Sequence, residues 1–436
     1  MSILIFVHEV NNRVKYAFDL IFKQVLKVPF SITSDKDEYL NYSGAKFVYR
    51  KSPLDKGLFF YSADLLFEKN LKFQNLQVDK WNSHYVFYLN ENYGVLPFDP
   101  FAASFYLVTR YEEYVTKHRD SHNRFDPNYS IAKRNNFLQE PVVNQYAELV
   151  KNIILEAYPH VFFPERKYIF QPTIDIDNAF AYKYKNPLRV LPSMIKSLFK
   201  LKFGDFSSKL SVIVGGKKDP YDTYEKQIEI HDKYQVNPIY FFLLGNRSKF
   251  DHNIPHTNVH LRSLISTIGD KYQLGMHPSY SSNRRKNLFD IEKKRLEDIS
   301  KKEITKSRQH FLKLTLPETY QNLISKGITE DYSMGYSKEI GFRAGICSPY
   351  YFYDLKKEEQ TILLVHPFCV MDSTLKFYLK VRSSEVLYTI KPLIEKVKLM
   401  KGEFIMIFHN ESMGTHKMWR NWNEVYETLV RAAKAR

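Results

Sequence analysis

The sequence predicts an α/β protein in two parts: a smaller α/β N-terminal domain over residues 1–165 and a closed or nearly closed β/α barrel over residues 166–436. Three observations carry that expectation. The chain has 436 residues, more than one small domain needs, and an α/β barrel takes up about 250 by itself. Hydrophobic residues make up 44% and charged residues 26%, a globular composition able to bury a large core. Beyond residue 166 short β-rich runs alternate with helical patterns, the rhythm of a parallel sheet.

In the first part, residues 2–8 form an apolar strand pattern. Residues 15–26 follow with helical spacing through Tyr16, Phe18, Leu20, Ile21 and Val25. Residues 46–50 and 85–89 read as further strands. The segment FDPFAASFYLVTRYEEYV (98–115) offers Asp99 as a helix N-cap and Pro100 at the first helical position. Its aromatic stripe points to core packing. Residues 144–157 read as a helix, and PHVFFPER (159–166) as a linker.

In the second part, strands are expected at 168–175, 238–244, 272–277, 303–310, 327–331, 361–366 and 404–409. Helices are expected at 223–234, 257–269, 288–301 and 375–399. Asp175, His277, His310, Asp331, His366 and His409 each close one of these strands. The C-terminal strand ends of a β/α barrel face one rim, where active sites are built.

The charge and the cysteines narrow the setting. Lys and Arg number 64 against 48 Asp and Glu, a net charge of +16. Either an anionic partner or a surplus of surface lysine accounts for it. No helix-turn-helix, zinc-finger or RNA-binding signature accompanies the charge, so no nucleic-acid partner is expected. The two cysteines, Cys347 and Cys369, exclude a disulfide framework and fit a reducing compartment. MSILIFVHEV reads as a buried strand, not a signal peptide, and no run reaches the ~20 apolar residues of a membrane span. The expected location is cytoplasmic. The segment NPLRVLPSMIKSLFKLKF (186–203) alternates apolar and basic positions, as an interfacial helix or a solvated insertion would. As a helix it would make a peripheral contact at the inner face of the membrane.

The chemistry gathers in four blocks. In TIDIDN (173–178), Asp175 and Asp177 are one residue apart, so on an extended segment they point the same way. Two such carboxylates repel unless a cation or a shared proton intervenes, and a divalent metal would leave one of them free as a base. GMHPSYSS (275–282) offers His277 at the top of a turn shaped by Gly275 and Pro278. SRQHFLK (307–313) puts Arg308 and His310 two apart, the first to hold a carboxylate ionised and the second to ligate metal. FIMIFHN (404–410) delivers His409, suited to protonating a leaving amine or alcohol.

These blocks resemble, in order and spacing, the polysaccharide deacetylases of carbohydrate esterase family four over about residues 166–436. The resemblance implies a distorted (β/α)7-type barrel, with Asp175 as general base, Asp177 as metal ligand, Arg308 as the positioner of the base and His409 as general acid. His277 matches the first member of the family's His-x-x-x-His pair. Ser281 stands where the second would be, and His310 is taken as its replacement. FDPFAASFYLVTRYEEY, GMHPSYSS and GFRAGICSPYYFYD look like a divergent branch with an extra N-terminal domain. For that branch the resemblance implies an intracellular protein of surface-polysaccharide biosynthesis. The implied activity is metal-dependent removal of N- or O-acetyl groups from a glycan or glycan precursor, free or lipid-linked, with Zn²⁺ as the expected cofactor.

Backbone N–H groups near residues 309–311 are expected to stabilise the oxyanion. Asp331 is expected either to orient His409 or to cap the turn before Ser333, and with Tyr280 and Arg343 it is assigned to the substrate side. Arg343, in GFRAG (341–345), would anchor an anionic sugar group or lie on the surface. His366 and Asp372 are placed at the pocket edge. Two other functions compete. A D-x-D motif also serves metal-dependent glycosyltransferases, but His277, Arg308 and His409 have no task there and no glycine-rich phosphate loop is present. A glycan-binding protein that lost turnover is the other, and Ser281 is its support.

Overall fold

The computed structural model describes residues 2–90, 94–185 and 203–435. The expected interfacial segment 186–203, except for Phe203, lies outside the described residues. Among the described residues no helix is long and apolar enough to cross a membrane.

The first part is built on a four-stranded parallel sheet of β1 (Ile3–Val7), β2 (Phe30–Thr33), β3 (Lys46–Arg50) and β4 (Phe59–Tyr61), in the order β2-β1-β3-β4. All of β1 is buried, as an apolar run covered on both faces must be. Residues 85–89 contribute instead to a hairpin of β5 (Asp79–Trp81) and β6 (His84–Val86). The helix Pro100–Val108 begins as its sequence dictates, with the Asp99 carboxylate accepting from the backbone N–H groups of Phe101 and Ala102. Phe101 then packs among Phe18, Phe47 and Phe60, so the aromatic stripe is core.

The second part holds one nine-stranded sheet in the order β12-β13-β11-β10-β9-β8-β7-β15-β14. Its members are β7 (Ile169–Ile176), β8 (Ile239–Phe242), β9 (Gln273–Met276), β10 (Lys306–Ser307), β11 (Glu330–Asp331), β12 (Tyr350–Asp354), β13 (Glu359–Val365), β14 (Val370–Met371) and β15 (Glu403–His409). Every pairing is parallel except β12 with β13. Each of the seven expected strands is present, two of them cut to two residues. β12 and β14 were not expected.

The expected helix over 375–399 divides into a turn at Thr374–Tyr378 and a helix at Val386–Leu399. Lys380, at φ 54°, takes the left-handed conformation between them, which a continuous helix of L-residues does not accommodate.

Alternation along the strands sorts the side chains into two layers. Ile174, Tyr240, Phe242, Phe404, Met406 and Phe408 belong to the large outer core, which is continuous with the core of the first part. Ile239, Phe241, Ile405 and Ile407 form a separate inner cluster with Leu312, Tyr332, Phe368 and Met371. β8 and β11 are three strand spacings apart, about 14 Å across a flat sheet. Yet the rings of Phe241 and Tyr332 are 5.4 Å apart, so the sheet curls around this inner layer. Gly275 permits the curl: a Cβ there would sit 2.3 Å from the Phe241 ring.

Candidate metal centre

The inner layer of side chains continues upward into the chemistry. On β7 the inward positions are Thr173 and then Asp175, and Asp177 follows two residues later, just past the strand end. On β15 the same alternation after Ile405 and Ile407 reaches His409, which pairs in register with Asp175. His277 follows β9 directly, and His310 sits three residues beyond β10. All four strands are parallel, so these residues meet at one rim.

Three of them face one another closely. One ligand atom from each of Asp177, His277 and His310 lies within 4.8 Å of the others. His277 Nδ1 donates to the Arg308 carbonyl at 2.6 Å, and His310 Nδ1 donates to Asp251 Oδ1 at 2.9 Å. Both Nε2 atoms are thereby turned to the Asp177 carboxylate, at 3.1 and 3.3 Å. A neutral imidazole with its Nδ1 proton committed offers only a lone pair from Nε2. Three lone-pair atoms converging in a buried space require a cation or extra protons.

The charge balance says the same. Burial opposes ionisation of Asp177, but His310 and His277 hold its carboxyl well below the usual range. Burial opposes the imidazolium of His310, but Asp177 and Asp251 push it up to about 9. The carboxylate-and-two-imidazole donor set, with both imidazoles fixed from behind, fits a divalent transition metal.

On one side of this cluster Arg308, fully buried, donates from Nη1 to Asp175 Oδ1 at 2.9 Å and to Thr173 Oγ1 at 2.6 Å. Its Nε donates to the Tyr332 carbonyl at 3.0 Å. Asp175 Oδ2 lies 3.9 Å from His277 Nε2. On the other side His409 donates from Nδ1 to Asp372 Oδ1 at 2.8 Å, and its backbone N–H donates to Asp372 Oδ2. Its Nε2 lies 3.7 Å from Asp177 Oδ2. Burial disfavours the His409 imidazolium, but Asp372, with Asp177 and Asp175, raises it well above the ordinary value.

Asp175, Asp177, His277, His310 and His409 line a cavity of about 430 Å³ whose walls include Phe311, Phe377, Tyr378 and Trp419. Its size and its polar floor with apolar walls suit a small organic ligand.

Five residues depart from their expected placements. Asp331 does not touch His409 or the cavity and takes its other expected role, the turn cap: it is fully buried and accepts from Ser307 and from the hydroxyl and N–H of Ser333. Asp372, placed only at the pocket edge, holds His409 instead. Arg343 does not line the cavity: both guanidinium edges are taken up by Glu113, at 2.9 and 2.6 Å, and by the Gly335 carbonyl. Burial of these two opposite charges in contact leaves no free cation for a sugar. Tyr280 stands behind the cavity wall, its ring against Phe250 and Phe311 and its hydroxyl 3.3 Å from His122 Nδ1. His366 is held between Glu403 and Glu330, stacked on Tyr332 and away from the cavity.

Sequence reading missed two residues altogether. Asp251, in a polar loop after β8, fixes His310 and also accepts from the Tyr280 N–H. Glu411 lines the cavity two residues past His409, and burial with the neighbouring Asp177 raises its carboxyl to about 7.

Replacing Asp372 with Asn keeps the size of the side chain and removes the charge that orients His409. If His409 acts as an acid, turnover falls by about 10²–10⁴-fold while metal content stays within about twofold. Steady-state kinetics beside metal analysis reads both.

Residues 3–159 match the model of a family of unknown function, DUF7033. No curated protein matches the chain. Among solved structures it is similar to a provisionally assigned polysaccharide deacetylase from Mycobacterium smegmatis, at 12% identity and a TM-score of 0.40, over 63% of this chain and 87% of that one. A polysaccharide deacetylase from Bacillus cereus matches at 9% identity and a TM-score of 0.30, over 61% and 86% of the two chains. A mutant of a carbohydrate esterase family four pseudoenzyme with restored activity matches at 11% and 0.27, over 62% and 63%. At such identities and scores the chemistry has to come from the cavity's own side chains.

Proposed function

We propose that the protein is a metal-dependent carbohydrate esterase that removes an acetyl group from a glycan or glycan precursor, by hydrolysis of an acetamide or acetyl ester. One observation supports this best: the Asp177–His277–His310 cluster is flanked by an arginine-held carboxylate on one side and a carboxylate-held imidazole on the other. Acyl-group hydrolysis needs those two groups, a base for water and an acid for the leaving atom. On this reading the curled sheet of residues 166–436 is a distorted β/α barrel, and residues 1–165 are a separate α/β domain packed against it.

Asp177, His277 and His310 would hold the cation, Zn²⁺ by donor preference. Once bound, it supplies Lewis acidity toward the acyl carbonyl oxygen and acidifies water. Asp175, kept ionised by the Arg308 guanidinium, takes the proton of the attacking water. Arg308 is itself fixed by Thr173 and the Tyr332 carbonyl, so Asp175 cannot swing away from the cavity. His409, its Nδ1 tied to Asp372, presents Nε2 to the cavity and delivers a proton to the departing nitrogen or oxygen. The aromatic walls match the apolar faces of a pyranose ring.

Asp175→Asn tests the assignment. It retains metal within about twofold and loses at least about 10²-fold in turnover, measured as acetate released from acetylated chitooligosaccharides and acetylated xylan. Metal-loaded parent protein that releases no acetate from either substrate would overturn the reading.

A further inference from the structure

A second, smaller cavity of about 240 Å³ adjoins the metal cavity. It lies between the loop after β9, which runs through Tyr280–Asn283 into the helix Lys286–Ser300, and the loop after β10, which runs through His310–Leu312 into the helix Glu318–Ser325. β9 and β10 are parallel neighbours, so both loops rise from the rim that carries the metal centre. Gln309 borders both cavities. The first part of the chain closes the wall between them. Asn123 lines the second cavity and Arg124 lines the first. Arg124 is anchored by Asp120 and donates to the Phe311 carbonyl at 2.6 Å. That contact holds Phe311 in a left-handed conformation, φ 59°, which costs a residue with a Cβ.

The lining is polar and one-sided in charge. Arg284, Lys286 and Lys313 all border the cavity, and no ion pair of any of the three is recorded among the described residues. The one carboxylate among its described lining residues, Glu318, is engaged by Lys356 at 2.5 Å. The Lys313 ammonium lies 4.4 Å from the Tyr280 ring centroid. Partial burial and the nearby Arg284 charge lower its proton affinity, and Asp120, already engaged by Arg124, only partly offsets them. Asn123, Asn283 and Asn322 add amide groups that can bond sugar hydroxyls.

We propose that this second cavity is a subsite for an acidic sugar residue, one bearing a carboxylate or a phosphate, attached to the unit whose acetyl group occupies the metal cavity. The proposal rests on the esterase reading. An anion here would relieve the repulsion among the three cations and form charge-assisted hydrogen bonds with them. The volume suits one sugar unit better than a drug-sized or dinucleotide ligand, whose sites run to about 300–1,000 Å³. The first part of the chain thereby acquires a task, since it supplies Asn123 to the subsite and Arg124 to the wall.

The test uses the full chain and calorimetric binding of matched probes. A hyaluronan tetrasaccharide carries acetamides and carboxylates, and N-acetylchitotetraose carries acetamides alone. N-acetylglucosamine 6-phosphate is set against N-acetylglucosamine for the phosphate source. At least one acidic probe binds about tenfold or more tightly than its neutral counterpart at low salt, and the comparison shows which anion is taken. That ratio falls to within about twofold in Arg284→Ala/Lys313→Ala and in 0.5 M NaCl. Asn322→Asp, which adds a negative charge at the cavity, also shrinks it.

Equal binding of acidic and neutral probes would overturn the proposal, as would a preference that survives in the double variant. Acetate release is assayed separately. A charge preference without release counts against the esterase reading, and release without a charge preference counts against the subsite alone.

Discussion

His277→Ala and His310→Ala each bind Zn²⁺ or Co²⁺ at least about 100-fold more weakly than the parent chain, and Ser281→Ala binds them within about twofold of it. The scale follows from what outer partners alone are worth, about 10–100-fold in metal affinity, and a lost ligand costs more. Asp251→Asn falls in that outer range, because it removes the charge that strengthens the 2.9 Å contact with the Nδ1 proton of His310 without removing a ligand. The Ser281 side chain is only weakly engaged, its Oγ 3.4 Å from Asp251 Oδ2. Titration with Co²⁺, followed by its visible absorption, reads affinity and geometry together. A His310→Ala variant with parent affinity would show that the third ligand is elsewhere and that the ring serves only to pack against Phe311, 4.8 Å away.

The same residues show what a sequence can convey about such a site. Period-two alternation was enough to aim Asp175 and Asp177 the same way, because an extended segment leaves no other choice. Strand ends placed His277 and His409 on one rim for the same reason. Asp331 and His366 also end strands, yet they do not reach the cavity. β11 is only two residues long, and Asp331 turns to Ser307 on the adjacent β10, while His366 lies between two carboxylates. Their destinations depend on neighbours distant in sequence.

Asp251, and the hold of Asp372 on His409, escaped for a related reason. Asp251 sits in a loop with no periodicity and Asp372 directly after the two-residue β14, 59 and 37 residues from the imidazole each holds. Glu113 is the clearest case. Nothing in TRYEEY singles it out, and it is buried against an arginine 230 residues away.

That pairing carries the largest stability effect. Glu113→Gln lowers the free energy of unfolding by about 3–5 kcal/mol, the cost of leaving a buried charge without its partner. Glu113 Oε1 accepts from Arg110 at 2.8 Å and from Arg343 at 2.9 Å, and Oε2 accepts from Arg343 at 2.6 Å. Arg110 retains Glu112 at 2.7 Å and the Tyr336 hydroxyl at 3.1 Å, but Arg343 has no second carboxylate among the described residues, only the Gly335 carbonyl and the Tyr336 ring. The glutamine keeps the shape and drops the charge, so the deficit is electrostatic. By contrast Asp64→Asn, which breaks the exposed Lys51–Asp64 pair, costs at most about 1 kcal/mol.

The pH dependence gives a second reading. Burial alone would raise the Glu113 carboxyl above its usual 4.5, but Arg343 and Arg110 hold it down to about 2. A depressed carboxyl stabilises the fold fully above its unfolded value and loses that contribution as protons bind the native state. The gap between parent and variant, from urea unfolding, should be constant between pH 7 and 5 and narrow from about 4.5 toward 2. A variant as stable as the parent, with no such narrowing, would mean that solvent reaches both guanidiniums. Arg343 would then be free to move, and its assignment to a sugar's anionic group would stand again.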